Sequence, residues 1–516
     1  MLIHNTESGR EETFAPITLP VKMYVCGLTP KDEPHLGHAR LFVVNDAVRR
    51  YLEYRGYPVH YVQNFTDVDD KIIAAGLREN IPASQAARRY TASYFRDMDA
   101  IAVRRADEFT FVTDFIPQII RVVQGLIERG HAYELEGDVY FSVPSFPAYG
   151  RLSGRDEEAM LAGARIEPDE RKRDPRDFAL WKAAKPGEPS WESPWGRGRP
   201  GWHIECSTMV LERLGEQIDI HGGGSDLIFP HHENEIAQSE SYTGHTPFVR
   251  YWLHTGMLSL PNPEAEAVAS EMAAAPKLKM AHSGKFVTIR SILDTGQVPA
   301  PALRLYLLGQ HYRANLTYAE EQLLGTVARW KRWAEARANL LRVLGWAEEH
   351  VRSDHAAALA EGARERELSE QLATARAEFV AAMDDDFNTS GALAAVDGLV
   401  RRANDYVARV PEAKATPAVL AALRSALATL EELTGTLGIA LEAPEDADTA
   451  LTAADREAIE ALVAQRGAAR QAKDWVEADR IRRELDQRYH VVIKDTAQGA
   501  TWSVTTPHGS SQGLLE

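Results

Sequence analysis

The strongest constraint on this chain lies near its start. The apolar run Val21 to Thr29 (VKMYVCGLT) reads as a short buried strand, and after a proline-containing turn Leu36 to Tyr54 carries apolar residues at helical spacing. A second strand pattern at Pro58 to Phe65 (PVHYVQNF) leads into a helical pattern from about Val68 to Asn80. This βαβα opening requires parallel strands whose two faces are both covered by helices. The expected class is therefore α/β, with a Rossmann-like, doubly wound parallel sheet as the core.

Further along, helices are expected at Ser84 to Arg105 and Thr113 to Gly130, and a hairpin at Ala132 to Val143. The stretch Ser145 to Pro200, rich in Arg, Asp, Pro and Gly, reads as a surface insertion of loops. The βα pattern then resumes with a helix near His203 to Leu214, a strand at Gln217 to His221, a Gly-rich turn, a helix at Pro230 to Tyr242 and a strand at Phe248 to Leu258. Pro261 to Pro276 reads as an inserted, mobile loop. From Ala300 to about Gly438 nearly everything has helical periodicity, which implies a helical bundle. After an acidic linker at Glu442 to Thr449, a helical stretch at Ala453 to Arg488 and a hairpin at Val491 to Thr505 suggest a small α+β module.

The expected organisation is thus a first half of the catalytic core over 1–115, a connective insertion over 116–200 and the second half over 201–260. Loop regions over 261–299, the bundle over 300–440 and the terminal module over 453–516 complete it. A chain of 516 residues with 44% hydrophobic and 26% charged residues has the composition of an ordinary globular protein, not of a disordered one. No window has the 18 or so uninterrupted apolar residues of a membrane helix, and the opening MLIHNTESGREE lacks the apolar core of a signal peptide. A cytoplasmic protein is expected, without a membrane partner. The net charge of −17 argues against nonspecific DNA coating, since that needs many cations on phosphates. Cys26 and Cys206, the two cysteines, are too few for a disulfide scaffold and are expected to be reduced.

Four segments carry chemistry. In His35-Leu36-Gly37-His38, at the handover from first strand to first helix, free N–H groups and the helix dipole favour a phosphate. The two histidines add donors, and Gly37 permits close approach; the same pattern, taken alone, also fits a pair of capping histidines. His231 and Glu235 are four apart on one helical face, and with Cys26 and Cys206 they make a tetrahedral donor set suited to zinc. Each cysteine alone equally fits a small buried hydrophobe. Three glycines after Ile220-His221 suggest a turn that lets a ligand approach, or merely a tight loop. The loop Lys279-Met280-Ala281-His282-Ser283-Gly284-Lys285 offers cations for a leaving phosphate, or a solvated charged surface.

Taken together, MYVCG, HLGHAR, NFTDVDDKII, GRPGWHIECS, DIHGGGSDLIFPHHENEIAQSE, GQHYRANLTYAEE, DDDFNTSGALA and AKDWVEADRIRRELDQRYHVVIKDTAQGATW resemble, in order and nearly end to end, segments of the cysteinyl-tRNA synthetase family. These are class I aminoacyl-tRNA synthetases. HLGH resembles their HIGH-type signature and KMAHS their KMSKS-type signature, except that Ala281 and His282 replace a Ser and a second Lys. That second Lys is used on ATP phosphates, so the resemblance leaves the role to His282, when it can donate, or to Lys285. The 261–276 loop is longer than the family's usual turn.

The resemblance implies activation of L-cysteine by ATP to a cysteinyl-adenylate, followed by transfer to the 3′ end of tRNA-Cys. It implies catalytic roles for His35, His38, Lys279, His282 and Lys285, and ATP contacts for Gly37, His38, Asp226, Lys279 and His282. Gly27, Thr66, Trp202 and His221 match positions that line the cysteine pocket. One zinc per chain on Cys26, Cys206, His231 and Glu235, and Mg²⁺ with ATP, are the implied cofactors. The tRNA would be gripped by the C-terminal parts: from Arg466 to Lys494 there are eight Lys and Arg against five Asp and Glu. Arg482, Arg483, Asp495 and the faces of Trp475 and Trp502 are the expected contacts, although both tryptophans also fit a small core. A monomer is expected. Two other readings stay open: a cysteine ligase with a small amine acceptor, and a non-catalytic tRNA-binding paralogue with an altered KMAHS loop. A zinc hydrolase fits poorly, because no general base stands apart from the four ligands.

Overall fold

Residues 21–28 become the middle of a sheet because almost every one of them is apolar: Val21, Met23, Tyr24 and Val25 are fully buried. The computed structural model describes residues 1–155, 171–260, 287–351, 362–410, 415–442, 453–471, 474–489, 491–496 and 499–504. An antiparallel hairpin, β1 (Leu2–Asn5) and β2 (Arg10–Thr13), precedes the central strand β3 (Val21–Leu28). The helix Leu36–Tyr54 returns the chain to β4 (Val59–Phe65), which pairs in parallel with β3. The helices Asp70–Glu79 and Ala83–Ala100 then lead to a short strand, β5 (Glu108–Phe111), parallel to β4. The sequence reading did not anticipate β5: four residues, only one of them buried, are too few to establish a period.

After the helix Ile116–Glu128 the expected hairpin forms as β6 (Ala132–Leu135) and β7 (Asp138–Phe141). The stretch read as loops contains two more strands, β8 (Phe178–Ala183) and β9 (Gly198–Pro200), which complete a four-stranded antiparallel sheet. They escaped notice because Pro and Gly surround them, while the partner that stabilises them lies forty residues earlier. The helix Trp202–Leu214 leads into β10 (Ile218–Gly224) and β11 (Val249–Thr255), which rejoin the central sheet on the far side of β3.

The central order is β11-β10-β3-β4-β5, all parallel. Strand order reverses between β3 and β10, and ligands in open α/β sheets bind beyond the carboxyl ends of strands at that point. Cys26 and Gly27 lie near the carboxyl end of β3 there, just past the pairing of Val25 with Gly222 of β10. Gly222 to Gly224 are not a turn: each pairs along β11, Gly224 with Thr255 last. Glycine is needed at 223 because a Cβ would lie 2.5 Å from the His232 ring. The helix expected from Pro230 opens as a π turn over Ile228–His232 and becomes α-helical at Glu233–Thr243.

The expected bundle comprises the helices Ala300–Leu308, Glu320–His350, Ala363–Asp384, Thr389–Val407 and Pro417–Thr436, packed through Trp333, Leu340, Phe379, Leu393 and Leu430. Two short parallel strands, β12 (Leu258–Ser259) and β13 (Leu316–Thr317), tie its first loop to the core. Met1–Ala440 form one compact unit. Leu441–Glu516 form a second, in which the single predicted helical stretch is two helices, Ala453–Gln471 and Trp475–Tyr489, followed by the hairpin β14 (Val491–Thr496) and β15 (Gly499–Val504). Among the described residues no helix is long and apolar enough to cross a membrane.

Arg40 staples the cavity-bearing end of the sheet. Its buried guanidinium donates to the carbonyls of Gly256 (3.0 Å), Met257 (3.2 Å), His311 (3.2 Å) and Ala314 (2.5 Å). Arg40→Ala orphans these acceptors and is expected to lower unfolding stability by about 3 kcal/mol, given charged hydrogen bonds. A urea melt checks this, and an unchanged midpoint would show the staple to be idle.

Candidate active site and metal centre

A cavity of about 310 Å³ opens at the switch point, its lining including Gly27, Lys31, His35, Gly37, His38, Lys71, Trp202 and Asp226. His35 is the N-cap of the Leu36–Tyr54 helix: its Nδ1 accepts the backbone N–H of Gly37 (3.1 Å) and of His38 (3.4 Å). His38 Nδ1 in turn accepts the N–H of His35 (3.3 Å), and the two rings stack at 3.6 Å. The capping role and the ligand role are therefore compatible. Capping occupies Nδ1 on both rings, which leaves each Nε2 to carry the proton and to donate. Burial, assisted by the nearby Lys31 ammonium, pushes His35 down to about 4 and His38 well below its usual value. Both act as neutral donors, not cations.

Trp202 connects this cavity to the buried centre, since its ring stacks on His231 at 4.4 Å. Donor atoms of Cys26, His231, His232 and Glu235 all lie within 4.8 Å of one another. Cys206 Sγ is 3.8 Å from Cys26 Sγ, so all four expected ligands converge. His232 is the addition: its Nε2 is 3.3 Å from Cys26 Sγ, while its Nδ1 is 2.7 Å from His254 Nε2, which fixes the ring. Its signal was present in the doubled histidine of FPHHENE, where a residue three before Glu235 shares its helical face as one four before does, although the donor set expected from the sequence takes only His231. The π turn brings the second imidazole around as well.

His221 and Thr66, expected at the cysteine pocket, are buried beside acidic partners. His221 is fully buried and holds Glu235 (Nε2 to Oε2, 2.9 Å), and Thr66 Oγ1 donates to Glu205 (3.2 Å). Neither is among the residues that line the 310 Å³ cavity. Gly27 does line it, its N–H donating to Asn64 Oδ1 (2.8 Å), and a Cβ there would collide with the Asn64 carbonyl.

The donor set fits a soft or borderline dication. Burial would raise Glu235, yet the imidazoles of His221 and His231 hold it at about 2. The hydrogen bond from Cys26 draws Cys206 down to about 6, while burial raises Cys26. Burial opposes protonation of His231, but Glu235 and Cys206 outweigh it and hold the ring at about 10. A buried thiolate and carboxylate are costly without a cation, and thiolate with imidazole suits zinc.

Lys279, His282 and Lys285 lie outside the described residues, as do the 261–276 loop and the side chains of Trp475, Arg483, Asp495 and Trp502. Arg482 is exposed on the helix Trp475–Tyr489. Val287, the first described residue after the KMAHS segment, accepts the N–H of Leu36 (3.0 Å).

Comparison with known proteins agrees with this geometry. The family described as tRNA synthetases class I (C) catalytic domain matches residues 14–328, and the DALR domain matches residues 378–442. The cysteine–tRNA ligase of Dehalococcoides mccartyi is 45% identical over 508 residues, covering 98% of this chain and 100% of its own. That of Moorella thermoacetica is 46% identical over 505 residues, covering 97% and 99%. Among solved structures, Mycobacterium tuberculosis methionyl-tRNA synthetase in complex with methionyl-adenylate aligns with a TM-score of 0.56 at 15% identity, covering 81% of this chain and 90% of its own, which speaks to fold alone. With a catalytic-domain match over more than half its length and relatives of this identity from end to end, the chain belongs to the cysteine–tRNA ligase family of class I aminoacyl-tRNA synthetases.

Proposed function

We propose that this chain activates L-cysteine with ATP and passes the cysteinyl group to the 3′ end of tRNA-Cys, with zinc as its resident metal and Mg²⁺ entering with ATP. The observation that carries this reading is the juxtaposition of a cavity at the HLGH helix start with a buried thiol, imidazole and carboxylate cluster directly beneath Trp202. Cys26, Cys206, His231 and Glu235 would hold the metal, with His232 within reach of the same position. When bound, zinc supplies a soft Lewis acid that prefers a thiolate to a hydroxyl, whereas shape alone separates cysteine from serine by only about 1–3 kcal/mol.

The protein's own residues orient and neutralise. The Nε2–H groups of His35 and His38, with the N–H groups of the helix start, face the phosphates and donate to oxygens that gain charge as the α-phosphorus is attacked. Asp226 orients the ribose or the cysteine ammonium, Lys279, His282 and Lys285 act on the departing phosphates, and Gly27 and Trp202 bound the amino acid. Exposed Arg482, with Arg483, Trp475, Asp495 and Trp502, contacts tRNA.

The test is cysteine-dependent ATP–pyrophosphate exchange followed by tRNA charging. Exchange with cysteine is expected to exceed that with serine by at least about 10²-fold, beyond what a purely steric pocket gives. No exchange with any amino acid refutes the reading; exchange without charging of tRNA-Cys points to a ligase with a small amine acceptor.

A further inference from the structure

Among the described residues the cavity offers few cations to a phosphate ligand. A nucleoside triphosphate brings several negative charges, yet His35 and His38 are both neutral. Among the described residues that line the cavity, Lys31 and Lys71 are the cations, against Asp32, Glu33 and Asp226. The two lysines have different neighbours. Lys71 Nζ lies over the Trp202 ring at 5.6 Å, and Trp202 in turn stacks on His231, which places Lys71 beside the amino acid. Lys31 lies four residues before His35, and its charge is felt at both His35 and His38.

The surroundings keep the Lys31 charge available. Its nearest acid, Asp32, is 3.9 Å away and is engaged more closely by Arg78 at 2.9 Å. Glu33, next along, pairs with Arg96 at 3.2 Å. The Lys31 carbonyl accepts from Arg78 (3.3 Å) and its N–H donates to Thr29 (2.9 Å), so the backbone is fixed while the side chain stays about one-third exposed at the cavity wall. Two arginines thus absorb the adjacent carboxylates and leave one flexible ammonium on the cavity that His35 and His38 line.

We propose that Lys31 is a catalytic residue of the activation step, binding the β- and γ-phosphates of ATP and stabilising pyrophosphate as it departs. This rests on the functional reading above. In the step, a carboxylate oxygen of cysteine forms a bond to the α-phosphorus, and the bond from that phosphorus to the α,β-bridging oxygen breaks. The electron pair stays on the bridging oxygen, so charge accumulates on pyrophosphate. Lys31 keeps its proton throughout and neutralises that charge, acting with the neutral Nε2–H donors of His35 and His38.

The test uses the full-length enzyme. Lys31→Met is expected to lower the kcat of cysteine-dependent ATP–pyrophosphate exchange by on the order of 10²-fold, the scale of losing one transition-state contact. The KM for cysteine should stay unchanged, and Lys31→Arg should restore most of the rate. In calorimetric titration Lys31→Met should bind ATP about tenfold more weakly but AMP as tightly as the parent does, because the proposed contact is beyond the α-phosphate. Lys31→Gln serves the same purpose should the Met variant not fold. Exchange within twofold of the parent enzyme, or equal weakening of ATP and AMP, overturns the role of Lys31. Absence of exchange in the parent enzyme itself would instead overturn the functional reading.

Discussion

Replacing Cys26 by serine is expected to lower cysteine activation by on the order of 10³-fold and to reduce bound zinc from about one equivalent per chain to a small fraction of that. The thiol lies near the carboxyl end of β3 at the switch point, 3.8 Å from Cys206, 3.3 Å from His232 and 3.7 Å from Glu235, so it adjoins three members of the donor cluster. A serine hydroxyl has nearly the same shape, so packing beneath the cavity changes little, but it is a poor ligand for a soft metal. The effect therefore separates metal affinity from fold. ATP binding should persist, since His35, Gly37 and His38 stand on the helix Leu36–Tyr54 and do not depend on the cluster. Metal analysis, ATP titration and exchange kinetics on the same preparation test the three parts together. A serine variant that keeps its zinc and its preference for cysteine would remove Cys26 from the site. Cys206→Ser and His232→Asn, measured alongside, decide which of the two donors completes the set with Cys26, His231 and Glu235.

The second large effect is on stability. Arg304 is fully buried and fixes three segments at once. It pairs with Asp46 on the Leu36–Tyr54 helix, and donates to the carbonyls of Leu437 (2.7 Å), Ile101 (3.2 Å) and Ala102 (3.0 Å). Gly438, at φ +68°, allows this: a Cβ there would lie 2.6 Å from the guanidinium. The catalytic core and the end of the last bundle helix thus meet at one cation. Arg304→Met leaves Asp46 buried with Arg50 (2.8 Å) and the Arg104 N–H (3.2 Å) as partners but without its buried guanidinium, and is expected to destabilise by about 3 kcal/mol, the low end of the cost of breaking a buried pair. Pairing it with Asp46→Leu should recover part of that loss, because both members of the buried pair are then removed together. Urea unfolding of the two single variants and the double variant measures the coupling. Simple additivity would show that the two groups act independently.

A similar clasp explains DDDFNTSGALA, a motif the sequence reading could align but not interpret. Asp384 accepts from Tyr51 Oη (2.6 Å), Asp386 from Tyr312 Oη (2.8 Å) and Arg313 Nε (2.7 Å), and Asn388 caps the helix Thr389–Val407. Asp386 and Phe387 both take positive φ, 52° each, to make that bend. Asp384 and Asp386 of this run join the bundle to the core.

The βα alternation, the HLGH helix start and the helical C-terminal half were legible in the amino-acid sequence, because each depends on periodicity or capping within a few residues. Cys26, Cys206, His231 and Glu235 could be nominated the same way, as element ends of one sheet. Tertiary structure alone could decide that β8 and β9 are strands, that His232 joins the cluster, that His221 holds Glu235, and that Lys31 lines the same cavity as His35 and His38. These facts depend on contacts between residues far apart in the chain, and on burial that sets which charges survive. Local spacing carries no record of either.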